Sequence, residues 1–251
     1  MLAAERRKII IEQLQADKNV VVAQLAALFD VSGETIRRDL ELLCQEGIAT
    51  KSHGGAVLNE HGMDLPFAVR KHQRFAEKRL MADIIEGLVS EGDSIMLDAS
   101  TTAVFVAKAL KRKKRLTVIT NSIDVMVELA EMRDWTLIVT GGKMVSDYLA
   151  ITGAQAVNEI AGYSVDKLIF SCKGLDIERG IFEGNDDFAQ LKRAMIASAR
   201  VRILAADGHK FGRAALAKVG ELSDVDTVVT DAKPDAAWLA AFAAQGVRCL
   251  H

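Results

Sequence analysis

In Val31-Ser32-Gly33-Glu34-Thr35-Ile36-Arg37-Arg38-Asp39-Leu40 a helical apolar pattern breaks and restarts within four residues. Just before it, Leu25, Leu28 and Phe29 recur at i, i+3 and i+4, the spacing of one helix face. Asp30-Val31-Ser32-Gly33 interrupts that period, and a new helix starts at Glu34, with Ile36, Leu40 and Leu43 on one face and Gly47 as its expected C′ residue. An earlier helix over residues 5–17 has Ile10 and Leu14, flanked by Ile9 and Ile11, as its apolar stripe. Two short helices across a four-residue turn with a third behind them predict a helix-turn-helix. The face opposite Ile36, Leu40 and Leu43 presents Glu34 and Arg38, with Thr35 and Arg37 on its flanks, to solvent or to a major groove. Ser32 takes the N-cap position, so the backbone N–H groups that follow are placed to meet a phosphate. Ser52-His53-Gly54-Gly55 joins two short strand candidates, residues 48–51 and 56–58, in a tight hairpin. That hairpin is a wing whose Lys51 and His53 are expected along the DNA backbone or minor groove.

Outward from this module, residues 59–75 lose periodicity at Asn59-Glu60-His61-Gly62 and Asp64-Leu65-Pro66, which predicts a linker. Helical and strand patterns then alternate to the end of the chain, with strand candidates at residues 94–99, 116–122, 135–140, 166–172, 201–207 and 227–230. The expected fold is therefore a small winged helix-turn-helix domain, residues 1–58, joined to a larger α/β domain, residues 76–251, with a mostly parallel sheet covered by helices. Such sheets take ligands at the carboxyl ends of their strands. Three strands end in polar or glycine clusters there: Asp98 with Ser100, Thr101 and Thr102; Thr120, Asn121 and Ser122; and Gly141 with Gly142. Ser100, Thr101 and Thr102 mark a strand passing into a helix N-terminus, where hydroxyls, N–H groups and the helix dipole converge on a phosphate. Asp98 is placed to accept from hydroxyls of a ligand, Lys210 to pair with an anionic group, and Glu183 and Asn185 to read further hydroxyls.

Composition narrows the alternatives. Half of the 251 residues are hydrophobic and 26% are charged, a globular balance rather than a disordered one. The longest apolar run, Ala236–Ala244, falls well short of the ~20 residues that span a bilayer, and no export signal is visible, so a cytoplasmic protein without membrane contact is expected. Cys44, Cys172 and Cys249 lie far apart in apolar segments, as reduced, buried thiols do. The five histidines are scattered, and neither a metal nor a cofactor is expected. The run 111–115 reads as a solvated helix end. Residues 1–58 hold seven cations (Arg6, Arg7, Lys8, Lys18, Arg37, Arg38, Lys51) and eight anions (Glu5, Glu12, Asp17, Asp30, Glu34, Asp39, Glu41, Glu46). Net charge therefore does not announce a nucleic-acid partner. Placement does, because Arg37, Arg38 and Lys51 lie near the groove-facing surface while Asp39 and Glu46 turn to another side.

The decapeptide from Val31 to Leu40, followed by Gly47-Ile48 and His53-Gly54-Gly55-Ala56, resembles the signature of the DeoR family of bacterial transcription regulators. The resemblance continues through Glu77-Lys78, Asp98-Ala99-Ser100-Thr101-Thr102, Thr120-Asn121-Ser122, Gly141-Gly142, Gly174-Leu175-Asp176, Arg179-Gly180, Lys192-Arg193-Ala194 and Asp207 with Lys210-Phe211-Gly212. It implies a second domain similar to sugar-phosphate isomerase folds that senses phosphorylated sugars or related metabolites, with Gly174 in its site. His209 stands where many members have a serine, Gln190 where a glutamate is frequent, and Lys173 where small or polar residues are common. Lys173 is a second cation for a carboxylate or phosphate, or a partner for Asp176.

The resulting expectation is a repressor of a carbohydrate-metabolism operon that binds double-stranded operator DNA and is controlled by a phosphorylated sugar. One small module seldom suffices, so a homo-oligomer, dimer or tetramer, is expected to address half-sites ~34–36 Å apart. The alternative is a sugar-phosphate isomerase-like enzyme carrying a DNA-binding module, with Asp98, Glu183 and Lys210 as acid–base groups. No nucleophile–base pair or metal site in the sequence supports catalysis.

Overall fold

The computed structural model describes residues 2–45, 48–58 and 67–251. Glu46, Gly47 and residues 59–66 of the expected linker lie outside them. The chain divides into two compact units, Met1–Gln73 and Arg74–His251.

In the first unit, α1 (Ala3–Asp17) stops at Lys18, whose left-handed backbone (φ 66°) turns its N–H back to Leu14 O. A short strand β1 (Asn19–Val21) leads into α2 (Val22–Phe29), which closes the same way at Asp30 (φ 51°). The turn that follows delivers the chain to α3 (Gly33–Gln45). Ile10, Leu14, Leu25, Ile36, Leu40 and Leu43 are each at most 4% exposed and pack into one core. Each such burial is worth roughly 1.5–3 kcal/mol. The strands β2 (Ala49–Ser52) and β3 (Gly55–Leu58) form the wing, turning through His53-Gly54 with Gly54 at φ +79°. β1 is too short to show alternation in the sequence, yet it pairs antiparallel with β3, Val20 opposite Ala56, and makes the wing a three-stranded sheet of order β1-β3-β2. Gly55 permits that pairing, since a Cβ there would stand 1.9 Å from Val20 O. Within the segment read as a linker, residues Phe67–His72 form a short helix, α4.

The second unit begins with α5 (Phe75–Glu86) and continues β4 (Ser94–Leu97), α6 (Thr101–Leu110), β5 (Thr117–Thr120), α7 (Ile123–Leu129) and β6 (Thr136–Val139). A hairpin, β7 (Lys143–Val145) with β8 (Ala150–Thr152), precedes α8 (Ala154–Ala161) and β9 (Val165–Ser171). Then follow β10 (Gly174–Asp176), β11 (Gly180–Glu183), α9 (Asp186–Ala197), β12 (Ala199–Ala205), β13 (Ala217–Gly220), β14 (Thr227–Val229), α10 (Ala236–Ala244) and β15 (Arg248–Leu250). Seven strands form one sheet of order β15-β14-β12-β9-β4-β5-β6, every neighbouring pair parallel. Helices cover its faces, so its central strands are buried apolar runs such as Ile95, Met96, Leu97 and Leu168, Ile169, Phe170. The chain grows outward from β4 to β5 and β6, then returns to β9 on the other side of β4 and grows away through β12. That reversal marks the carboxyl ends of β4 and β9 as the switch point at which such sheets take ligands. β10, β11 and β13 form a separate antiparallel sheet. These short strands and β15 do not stand out in the sequence, since three or four residues carry no period. Of the cysteines, Cys172 is buried, whereas Cys44 and Cys249 are only partly so. Lys111, Lys113 and Arg115 pair with Glu128, Glu86 and Glu91 respectively.

Candidate functional site

On α3, Ser32 caps the helix: its Oγ accepts the N–H of Thr35 at 3.2 Å and lies 2.9 Å from Thr35 Oγ1. That N–H is therefore occupied rather than open to a phosphate, a correction to the sequence reading. Glu34 and Arg37 form an exposed i,i+3 pair at 3.3 Å. Arg38 is exposed and has no ion-pair partner among the described residues. Lys51 on the wing reaches across to Glu41 on α3, 2.8 Å away. That hydrogen bond and the Lys51 charge pull the Glu41 carboxyl below its ordinary pKa, and Glu41 in turn raises Lys51. Both side chains are in water, where such pairs contribute little and exchange readily for a phosphate. His53 is exposed at the wing tip. Asp39 does turn away from this face, and it is buried: it accepts from Arg6 Nε at 2.6 Å and from Arg7 at 3.4 Å.

A surface with Arg37, Arg38 and Lys51 on one side is suited to a phosphate backbone. Lys51→Ala is expected to weaken binding to all DNA sequences about equally and to reduce the slope of log affinity against log salt by about 1, read from binding titrations at several salt concentrations.

In the second unit, the carboxyl ends of β4 and β9 hold a buried charge network centred on Ser171, the last residue of β9. Its N–H donates to Asp98 Oδ2 (3.0 Å), its carbonyl accepts from Lys192 Nζ (2.5 Å), and its Oγ donates to Ala205 O (2.6 Å) and accepts from Lys210 Nζ (2.6 Å). Lys192 also pairs with Asp98 at 3.0 Å and contacts Glu183. Burial alone would lower the Lys192 pKa, but Glu183 and Asp98 outweigh it and the pKa is raised, so the ammonium stays charged. Lys210 stands 3.8 Å from Asp207, which is 3% exposed. Lys173 is exposed overall, yet loss of water around its ammonium lowers its pKa; Glu183 opposes that and Lys210 adds to it. Gly174 lets the loop carrying Lys210 pass close by, for a Cβ on it would lie 2.2 Å from Arg213 O.

The expected contacts separate into two groups. Asp98, Glu183, Lys173 and Lys210 come together with Lys192. Asp98 is 1% exposed, and its oxygens already accept from Ser100, Ser171 and Lys192. It orients Lys192 rather than waiting for a sugar hydroxyl, contrary to its expected role. Ser100 and Asn185 cap α6 and α9, each accepting an N–H three residues on at 3.0 Å. Thr101 and Thr102 are buried in the first turn of α6.

Thr120, Asn121 and Ser122 serve the scaffold. The Thr120 hydroxyl donates to Leu97 O and accepts from Ser122 N, Asn121 Nδ2 donates to Ile151 O, and Ser122 caps α7. All three are at most 1% exposed. Gly141 donates its N–H to Glu159, and Gly142 turns at φ +134° so that β7 passes against Thr152 O. These five positions brace strand ends, and their polar atoms are largely spent there.

Lys192 and Ser171 are absent from the sequence reading of the site. Lys192 had a signal: it shares the stripe Phe188, Leu191, Lys192, Met195 at i, i+3, i+4 and i+7, all buried. A lysine inside an apolar stripe predicts a buried carboxylate partner. Ser171 had none, since its N–H, carbonyl and hydroxyl are brought to their partners by register at the end of β9. Cys172 adjoins the network, but burial pushes its thiol up to about 12, which leaves no thiolate for nucleophilic chemistry.

Two family models match the chain: the DeoR-like helix-turn-helix domain over residues 6–61 and the DeoR C terminal sensor domain over residues 73–232. The HTH-type transcriptional regulator YulB of Bacillus subtilis (strain 168) is 38% identical over 238 residues, 94% of this chain and 92% of that protein. The Glycerol-3-phosphate regulon repressor of Escherichia coli (strain K12) is 32% identical over 234 residues, 93% of each chain. Among solved structures, ribose 5-phosphate isomerase from Plasmodium falciparum aligns with 53% of this chain and 52% of its own at 15% identity and a TM-score of 0.39, too loose a likeness to bear on function. No helix among the described residues is long and apolar enough to cross a membrane.

Proposed function

The chain belongs to the DeoR family of transcriptional regulators, and from that premise we propose that it is a cytoplasmic repressor of a carbohydrate-metabolism operon, released from or recruited to its operator by a phosphorylated sugar or related metabolite. In this reading residues 1–58 bind double-stranded DNA, with Arg37, Lys51 and His53 on the backbone, Ser32 shaping the helix start, and Glu34, Thr35 and Arg38 at base edges. Residues 59–75 join that module to an effector-binding and oligomerising domain, residues 76–251. Two or more copies of the chain, as a dimer or tetramer, supply the multivalency that a slightly acidic module needs.

The observation that carries the sensor half is the convergence on Ser171 of Lys210, with Lys173 near it, at the point where the strand order reverses. Lys210 and Lys173 are the cations for a phosphate, beside the α6 start at Ser100, Thr101 and Thr102. Glu183 and Asn185 at the α9 start stand nearest for sugar hydroxyls. Asp98 and Glu183, which an isomerase would need as free acid–base groups, are both held by the Lys192 ammonium, and this favours binding over catalysis.

The test is DNA from immediately upstream of the coding region, titrated with and without a panel of phosphorylated sugars and polyols. The parent is expected to bind, and Arg38→Ala to lose about 1–3 kcal/mol of discrimination for its site with its melting curve unchanged. At least one phosphorylated compound should shift both operator affinity and melting temperature. Equal binding by Arg38→Ala, or turnover of a compound in the panel, would defeat this reading.

A further inference from the structure

Arg74 opens the second unit and stands at the N-cap of α5 with φ 51° and ψ 48°. Side chains other than glycine rarely adopt that left-handed conformation, and an arginine stays there only when its surroundings hold it. What surrounds it is the loop after β12. Arg74 Nε lies 3.7 Å from Asp207 Oδ1, and its Nη1 contacts His209 Nδ1. A guanidinium can only donate, so in this contact His209 Nδ1 accepts, as in the tautomer with its proton on Nε2, and the same nitrogen lies 3.9 Å from Asp207 Oδ1. Asp207 in turn faces Lys210 at 3.8 Å, and Lys210 donates to Ser171 Oγ. A continuous series of polar contacts thus runs from the strand-end network to Arg74, the first residue of the second unit and part of the joining segment.

We propose that Arg74, Asp207 and His209 form a latch through which occupancy of the anion site at Lys210 reaches the joining segment. The latch rests on the reading of that site as a sensor of phosphate monoesters. A phosphate beside Lys210 offers the guanidinium a bidentate, doubly charged partner, stronger than a carboxylate at 3.7 Å. Arg74 turns to it, leaves His209 and Asp207, and the strained start of α5 relaxes. Because Arg74 begins the unit, that relaxation is passed directly to the backbone at Gln73. The ligand senses its own charge through a residue outside the Ser171 network, and a neutral sugar at the same place leaves the latch closed.

Two measurements on the full chain decide this. In the parent without ligand, the ¹⁵N imidazole spectrum of His209 near neutral pH should show an unprotonated, hydrogen-bonded Nδ1. Arg74→Ala should give the mixed tautomers of a solvated ring. Identical spectra would overturn the latch. Binding to the upstream DNA, again without ligand, should shift by about five-fold or more in Arg74→Ala and in His209→Ala, in the same direction, and no further in the double variant. Additive shifts, or affinities within about two-fold of the parent, overturn it as well. If the parent itself binds no such DNA, the regulator reading fails, and the imidazole spectrum alone then decides whether the latch exists.

Discussion

Lys192→Met is expected to destabilise the second unit by about 3–5 kcal/mol, corresponding to a fall in its melting temperature of roughly 6–20 °C. The substitution keeps the length and apolar stem of the side chain but removes the ammonium that pairs with both Asp98 and Glu183. Asp98 is 1% exposed and cannot recover a hydration shell. The loss is therefore the uncompensated burial of a carboxylate, far larger than the value of a surface ion pair. It should propagate to ligand binding, because Lys192 also donates to the Ser171 carbonyl while the hydroxyl of that residue receives Lys210. Urea unfolding followed by tryptophan fluorescence isolates this unit, since both tryptophans, Trp135 and Trp238, belong to it. Lys192→Arg keeps the charge and should fall between the parent and Lys192→Met. A Lys192→Met variant within about 1 kcal/mol of the parent would mean that water reaches the network and that the carboxylates are not sealed in.

Apolar spacing was enough for α1, α2 and α3, whose 15, 8 and 13 residues repeat one face over about two to four turns, and for the parallel sheet apart from β15. It was not enough for β1, β7, β8, β10, β11 and β13, whose three or four residues are placed by long-range pairing alone. At the strand ends, residue type pointed to the right edge of the sheet but did not separate ligand contacts from braces. Thr120, Asn121 and Ser122 look like a binding cluster in the sequence. In the fold their polar atoms are mostly taken up by Leu97, Ile151 and the start of α7.

Charged residues inside apolar stripes were a stronger signal. Lys78 sits with Met81, Ala82 and Ile85 on α5, Lys192 with Phe188, Leu191 and Met195 on α9, and both are buried. A stripe counted only over apolar residues passes over them. Counted by position, it marks where the interior requires a partner of opposite charge or an aromatic face. Lys78 has an aromatic face among its contacts, its ammonium 5.9 Å from the Phe105 ring centre.

The same rule governs the DNA-binding unit and leads to the second large effect. Asp39 shares a stripe with Ile36, Leu40 and Leu43, and Arg6 shares one with Ile10 and Leu14. Their side chains meet at 2.6 Å with Asp39 3% exposed and Arg6 7% exposed. This pair ties α1 to α3 across the core beneath the groove-facing surface. Asp39→Ala leaves the Arg6 guanidinium buried with no carboxylate, and a loss of about 3–5 kcal/mol is expected. For a unit this small that is a large part of its total stability. Hydrogen exchange at the amides of Leu40 and Leu43 should accelerate strongly in Asp39→Ala, and DNA binding should disappear although no groove-facing side chain has changed.

Arg38→Ala makes the contrast, losing binding with exchange protection intact. The Arg6→Met/Asp39→Leu variant removes both charges and should recover most of the protection, because a buried ion pair replaced by packed apolar groups is often neutral or better. If Asp39→Ala instead keeps its protection and loses only DNA affinity, then Asp39 acts at the interface and the pair is not what joins α1 to α3. The near-neutral charge count of the module follows from this geometry. Asp39 cancels arginine charge in the core, and the cations at the DNA surface are Arg37, Arg38 and Lys51, of which only Arg38 is free of a carboxylate partner among the described residues.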